Sequence, residues 1–392
     1  MKPGHPNLRR PAVFVMAAAA FVATLKISAQ QVSPPTTPWE LQDSTTKAGL
    51  RGIHAVGNGV AWASGTNGTI LRTEDGGHTW QSCAMPPGAE KLDFRGIWAW
   101  DANTAVAMSS GPGDLSRLYK TTDGCSSWKL LYTNPDKDGF WDAVVFSDKD
   151  KGAILGDPVQ GRFVLLFTLN GGTSWNQVVS LGHDLDVGKS KIGAFAASNS
   201  SLAWSGRLDG AGLQFVTSGP DGPYVYTSDS QCTMGVVWDS PPGTCLKGFL
   251  KFDREKLPLA GNSASAGAFS FGAGSEVDCY VELSQGCQVV VGGDYAKPNK
   301  SEGTAAWKDA DTVWTAAAKP PHGYRSAVAW DAADKAWVAV GTNGSDVSYD
   351  DGKTWQPLDN GKWNALSLPW AVGPEGRIAK LVSLKSAGIS GK

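Results

Sequence analysis

One eight-residue frame recurs along this chain, and it constrains the fold more than any other feature. Its clearest copy is Ser348-Tyr-Asp350-Asp-Gly352-Lys-Thr354-Trp355: a hydroxyl residue, then Asp, Gly and Thr at every second position, then Trp. The frame returns as Thr73-Glu-Asp75-Gly-Gly77-His-Thr79-Trp80, Thr121-Thr-Asp123-Gly-Cys125-Ser-Ser127-Trp128 and Thr168-Leu-Asn170-Gly-Gly172-Thr-Ser174-Trp175. Degraded copies carry Asp229 (Thr227-Ser-Asp-Ser-Gln-Cys-Thr233) and Asp309 (Trp307-Lys-Asp-Ala-Asp-Thr-Val-Trp314). The chemistry is that of a short Asx turn. The carboxylate accepts backbone N–H groups that follow it, Gly tolerates positive φ, and the Trp leaves the turn to pack on a sheet.

A second repeat sets the count. Arg51-Gly-Ile-His-Ala-Val, Arg95-Gly-Ile-Trp-Ala-Trp, Trp141-Asp-Ala-Val-Val-Phe, Ile192-Gly-Ala-Phe-Ala-Ala, Ala266-Gly-Ala-Phe-Ser-Phe, Arg325-Ser-Ala-Val-Ala-Trp and Trp363-Asn-Ala-Leu-Ser-Leu each read as a short alternating strand. Each precedes a second apolar strand, at 60–65, 104–108, 152–156, 202–206, 288–293, 337–341 and 370–373. A third strand then enters the turn and the Trp opens a fourth. Four short strands per unit and seven units predict an all-β chain folded as one seven-bladed β-propeller over 38–385. The seventh unit lacks a fourth strand. Thr37-Pro-Trp39-Glu-Leu resembles the Trp355 strand and is expected to close the last blade. Long insertions are expected at 206–224, 232–257 and 293–303, with helix only after Cys245.

Residues 1–29 read as a signal peptide: basic Lys2, Arg9 and Arg10, an apolar run over 12–25, and Ile27-Ser-Ala29 before the cut. A retained anchor is the alternative, against which the apolar run is shorter than the ~20 residues a span needs. Residues 30–37 form a flexible lead and 386–392 a tail. The mature chain is expected in the periplasm or secreted, with no membrane span, and as a monomer. Losing 1–29 removes four basic and no acidic residues, so 31 Lys and Arg face 37 Asp and Glu and the charge moves from −2 to −6. That balance excludes nucleic acid as a partner class. Six cysteines in an exported chain suggest disulfides, and 15 pairings exist. Cys232 with Cys245 and Cys279 with Cys287 are neighbours in sequence, which leaves Cys83 with Cys125. No C-x-x-C spacing and scattered His argue against a metal, and Gly272-Ala-Gly274 lacks the rest of a dinucleotide fingerprint, so no cofactor is expected.

In such a blade the start of the first strand and the end of the second share one face, opposite the Asp turns. Arg51, Arg95, Arg325, Trp141 and Trp363 are therefore expected around one channel mouth, ringed by Asp157, Arg207, Asp294 and Tyr295. Guanidinium groups beside indoles suit a carboxylate, phosphate or acidic side chain. The alternative is that the arginines pair internally with Asp142, Asp157 and Asp294.

The repeated frame resembles the Asp-box, or BNR, repeat of sialidase-like β-propellers, where the box is a fold element. Over nearly the whole mature chain the layout is similar to the photosystem II assembly factor propellers and their bacterial relatives. That resemblance implies a non-catalytic module engaging a protein partner or an anionic ligand, with Arg51, Arg95 and Arg325 as the corresponding basic positions. The alternative is a sialidase-like or other glycoside hydrolase acting on an anionic glycan, with Tyr295 or Tyr324 as nucleophile or a carboxylate pair among Asp142, Asp157 and Asp294. Against it, Gly-Ile follows Arg51 and Arg95 where those enzymes carry Arg-Ile-Pro, and no Glu takes a first-strand position.

Overall fold

A computed structural model describes residues 38–178, 183–205, 212–228, 251–273, 287–309 and 312–384, with Met1 and Gly4. The expected signal peptide beyond those two residues, the lead, the tail and the helix after Cys245 lie outside the described residues, as do Arg207, Asp229, Cys232, Cys245 and Cys279.

Seven four-stranded antiparallel sheets form seven blades. Blade 1 runs Leu50–Gly57, Val60–Gly65, Ile70–Thr73 and Gln81–Ser82, and blade 2 runs Phe94–Ala99, Ala105–Ser109, Arg117–Thr121 and Lys129–Thr133. Blade 3 begins at Trp141–Phe146, blade 5 at Ala266–Ala273, blade 6 at Ala327–Asp331 and blade 7 at Ala365–Ser367. Each innermost strand touches the innermost strands of the blades on either side, round a full circle. The core lies between blades, where apolar side chains of facing sheets interdigitate: Leu50, Ile53 and Ala61 of blade 1 pack with Ala365, Trp370 and Val372 of blade 7.

The last blade is completed by Trp39–Gln42, paired antiparallel with Ile378–Leu381. Closure buries Trp39 and pairs the edge of the third strand, Ile378–Leu381, that would otherwise lie open. Gln42 of the same strand accepts the indole N–H groups of Trp80 at 2.9 Å and Trp370 at 3.1 Å, linking blade 1 to blade 7.

The repeated frame has one geometry in four copies. In blade 1, Asp75 accepts Thr79 N–H at 2.9 Å and Thr79 Oγ1 at 2.6 Å, while Gly77 N–H turns back to Thr73 Oγ1 at 3.0 Å. Gly76 and Gly77 hold φ of 76° and 88°, which is why glycine is needed there. Asp123 and Asp350 repeat these bonds, and Asn170 replaces one of them by donating Nδ2 to Ser174 Oγ at 2.9 Å. Asp309 makes a different turn, accepting with its backbone carbonyl from Thr312. The tryptophans that follow, Trp80, Trp128, Trp175, Trp314 and Trp355, are all buried.

Blade 4 differs from the sequence expectation. Its innermost strand is Leu202–Ser205, followed by Gly212–Val216, Tyr224–Ser228 and Phe252–Lys256, so the stretches expected as insertions hold two of its strands. Residues 192–197 have the alternating pattern of a strand but join no sheet, making only a single bridge, Gly193 to Ser218. They cross the channel mouth instead, because side chains of other blades take their backbone groups. Cys83 and Cys125 form the expected disulfide between blades 1 and 2, and Cys287 is disulfide-bonded as well.

Candidate functional site

Residues 192–200 form a strap that fixes the geometry of the mouth. Ala194 N–H donates to Asp157 Oδ1 at 2.9 Å, and Arg95 Nη1 donates to the carbonyl of Ala196 at 3.2 Å. Asn199 bonds both backbone groups of Val144 at 2.8 Å, as a paired strand residue would. Ser198 Oγ donates to the carbonyl of Ser326 at 2.7 Å and meets Ser200, which meets Ser270 in turn. The strap thus reaches blades 2, 3, 5 and 6.

Two of the three expected arginines come together beside it. Arg95 Nε lies 2.8 Å from Asp93 Oδ2 and Arg51 Nε 3.8 Å from Asp93 Oδ1, so two guanidinium groups share one carboxylate. Their side chains are 36% and 28% exposed, enough to meet a ligand. Burial lowers the Arg51 pKa against the pull of Asp93, and neighbouring Arg95 lowers it further. Arg325 is not at this surface. It is fully buried, paired with Asp346 through Nε at 2.6 Å and through Nη2, with Asn343 Oδ1 on Nη1 at 2.6 Å. Its role is to hold blade 6 together.

The expected aromatic neighbours are redistributed too. Trp141 is buried and stacked on Tyr132 at 5.6 Å, and Trp363 is buried with its N–H on Asp359 and Arg377 over its ring. Neither is exposed. Tyr295 is, at 49%, the outer member of a cluster with Phe195, Phe269 and Tyr324. Arg51 and Tyr324 interact electrostatically, and Arg95 bonds the carbonyl of Ala196, the residue after Phe195.

The acids serve the scaffold. Asp294 accepts Ser265 Oγ at 2.6 Å and Ala296 N–H at 3.0 Å. Asp142 is buried, and its pKa is pushed well up by burial and by Asp157, against the field of Arg95. Asp157 is also raised, by burial. Asp93, Phe195 and Phe269 were not singled out from sequence. Asp93 stands two positions before Arg95, where an i, i+2 pair on an extended segment shares one side; Phe195 was hidden in the apparent strand.

Together, ring and mouth define a seven-bladed propeller with a basic and aromatic opening at one end of its channel. No protein-family model matches the chain. It is similar to the photosystem II assembly lipoprotein Ycf48 of Picosynechococcus sp. (strain ATCC 27264 / PCC 7002 / PR-6), at 28% identity over 156 residues. That match takes in 29% of this chain and 46% of the relative, so it spans under half of the relative's length. Among solved structures, YCF48 bound to D1 peptide superposes with a TM-score of 0.57 at 15% identity, covering 88% of this chain and 97% of that one. YCF48 from Cyanidioschyzon merolae gives 0.53 at 17% identity, covering 88% and 98%. At these identities the structural likeness carries the fold.

Proposed function

We propose that this propeller is a non-catalytic assembly module that binds a partner protein over its channel mouth through an acidic group. The observation that carries the reading is the arginine pair: Arg51 and Arg95, partly exposed, with Asp93 shared between them. Asp93 serves two guanidinium groups at once, and the nearby Asp142, which lies in the field of Arg95, has its pKa pushed well up by burial. A partner carboxylate would answer the two arginines with paired hydrogen bonds. The similarity to Ycf48, solved with a D1 peptide, supports a protein as the partner. We place the module outside the cytoplasm after loss of residues 1–29, in keeping with the Cys83–Cys125 disulfide.

The hydrolase alternative draws less from the site. Asp157 is engaged by the strap, Asp294 by Ser265 and Ala296, and Tyr324 is buried with its pKa raised by that burial. Binding of acidic and basic peptide libraries at low and high salt separates the two readings. The binding reading expects acidic peptides to be retained, salt to weaken them, and Arg51→Ala with Arg95→Ala to abolish retention while the melting temperature holds. Turnover of a sialoside that is lost in Tyr295→Phe would replace it with the hydrolase.

A further inference from the structure

The aromatic cluster is graded from core to solvent, which a packing role alone does not require. Phe269 and Tyr324 are buried and perpendicular at 4.9 Å. Phe195 is half-buried and stacked on Phe269 at 4.4 Å with 9° between planes. Tyr295 caps them edge-on, 5.6 Å from Phe195, and nearly half of it meets solvent.

Phe195 owes its position to the strap. The residues on either side of it are tied, Ala194 to Asp157 and Ala196 to Arg95. The ring is therefore held before any ligand arrives, and the guanidinium of Arg95 sits on the carbonyl of the very next residue. A fixed aromatic platform adjoining a guanidinium pair has the composition of a binding hot spot, with little ordering cost left for association. On the charge side of the platform, Asp93 serves both arginines.

We propose that the mouth selects a protein segment in which a bulky apolar or aromatic side chain lies near an acidic one. The apolar side chain packs on Phe195 and Tyr295, and the carboxylate meets Arg51 and Arg95. This deepens the partner-binding reading and rests on it.

The test uses acetylated, amidated Gly/Ser octapeptides carrying one Glu and one Phe, one to three positions apart. Matched peptides replace Phe by Ala or Glu by Gln, and affinities are read by fluorescence anisotropy. The Glu/Phe peptides are expected to bind roughly tenfold tighter than Glu/Ala peptides. That advantage is expected to vanish in Tyr295→Ala and in Phe195→Ala and to survive in Tyr295→Phe, which guards against misfolding. Discrimination of Glu from Gln is expected to persist in Tyr295→Ala and to be lost in Arg51→Ala. Equal affinity of the parent for Glu/Phe and Glu/Ala peptides overturns the inference and leaves the mouth a plain anion site. Phe-dependent binding indifferent to salt and to Arg51→Ala overturns the acidic half and the partner-binding reading as argued. No binding by any peptide overturns both.

Discussion

The indole N–H of Trp39 donates to Ser345 Oγ at 2.9 Å, across 306 positions of the chain. One contact therefore ties the closing strand of blade 7 to the third strand of blade 6. Trp39 is 5% exposed and packs 5.3 Å from Trp363. Trp39→Ala removes this packing and reopens the ring at its seam, at a cost of about 3–5 kcal/mol. Denaturant unfolding of the variant checks it; a midpoint equal to the parent's would mean that closure does not stabilise the ring.

The Asp turns offer an internal control. Asp350→Ala deprives Thr354 N–H and Oγ1 of their acceptor and is expected to cost about 1 kcal/mol, since the turn is partly solvated. Asp350→Asn should cost less, because Asn170 already performs the same task with Ser174. Thermal melts of the two variants rank them. Binding at the mouth should be unchanged in both, the turns being on the other face.

Acid stability follows from the same turns and from one partly buried imidazole. Bonds from the Thr79 side chain and N–H hold Asp75 down to about 2, and Ser127 does the same for Asp123. Both pKa values lie below the unfolded value near 4, so their stabilisation is present above it and is lost as pH falls toward 2. His54, against Trp98, is lowered by burial to about 4. Folded His54 stays neutral where the unfolded residue takes a proton, so its stabilisation is complete above about 6.5 and lost between there and 4. Stability should fall in two stages, and His54→Gln should flatten the first. Urea unfolding at stepped pH measures both; an unchanged slope between pH 6.5 and 4 in the variant would contradict the assignment.

The Cys83–Cys125 bridge closes a loop with a sequence separation of 42. Cys83→Ala is expected to cost about 2–4 kcal/mol through the unfolded chain, with the blade order unchanged. Comparison of parent melts with and without reductant against those of the variant checks it. A reductant effect that persisted undiminished in the variant would place it at another bridge.

Most of the fold was legible because its signals are local. The Asp turn is written in eight consecutive residues, and period-two alternation marks the strands between turns. Blade 4 was misread for the same reason. Residues 192–197 carry the alternation, yet their backbone partners include the side chains of Asp157 and Arg95, far away in sequence. Arg325 shows the limit at the site. It opens its unit as Arg51 and Arg95 do, but Asp346, 21 residues on, reaches it inside blade 6. Nothing in the pattern of first strands distinguishes a paired arginine from a presenting one. Asp93, which joins Arg51 to Arg95, belongs to the loop just before a strand, where its spacing of two from Arg95 was its signal.

The most direct test of the central claim is amide hydrogen exchange with and without a saturating acidic peptide. The account predicts protection at the mouth, around Asp93–Arg95, along residues 193–196 and at Tyr295, with the turns at Asp75, Asp123 and Asp350 unchanged. Protection confined to those turns, or retained in the Arg51→Ala, Arg95→Ala protein, would contradict it.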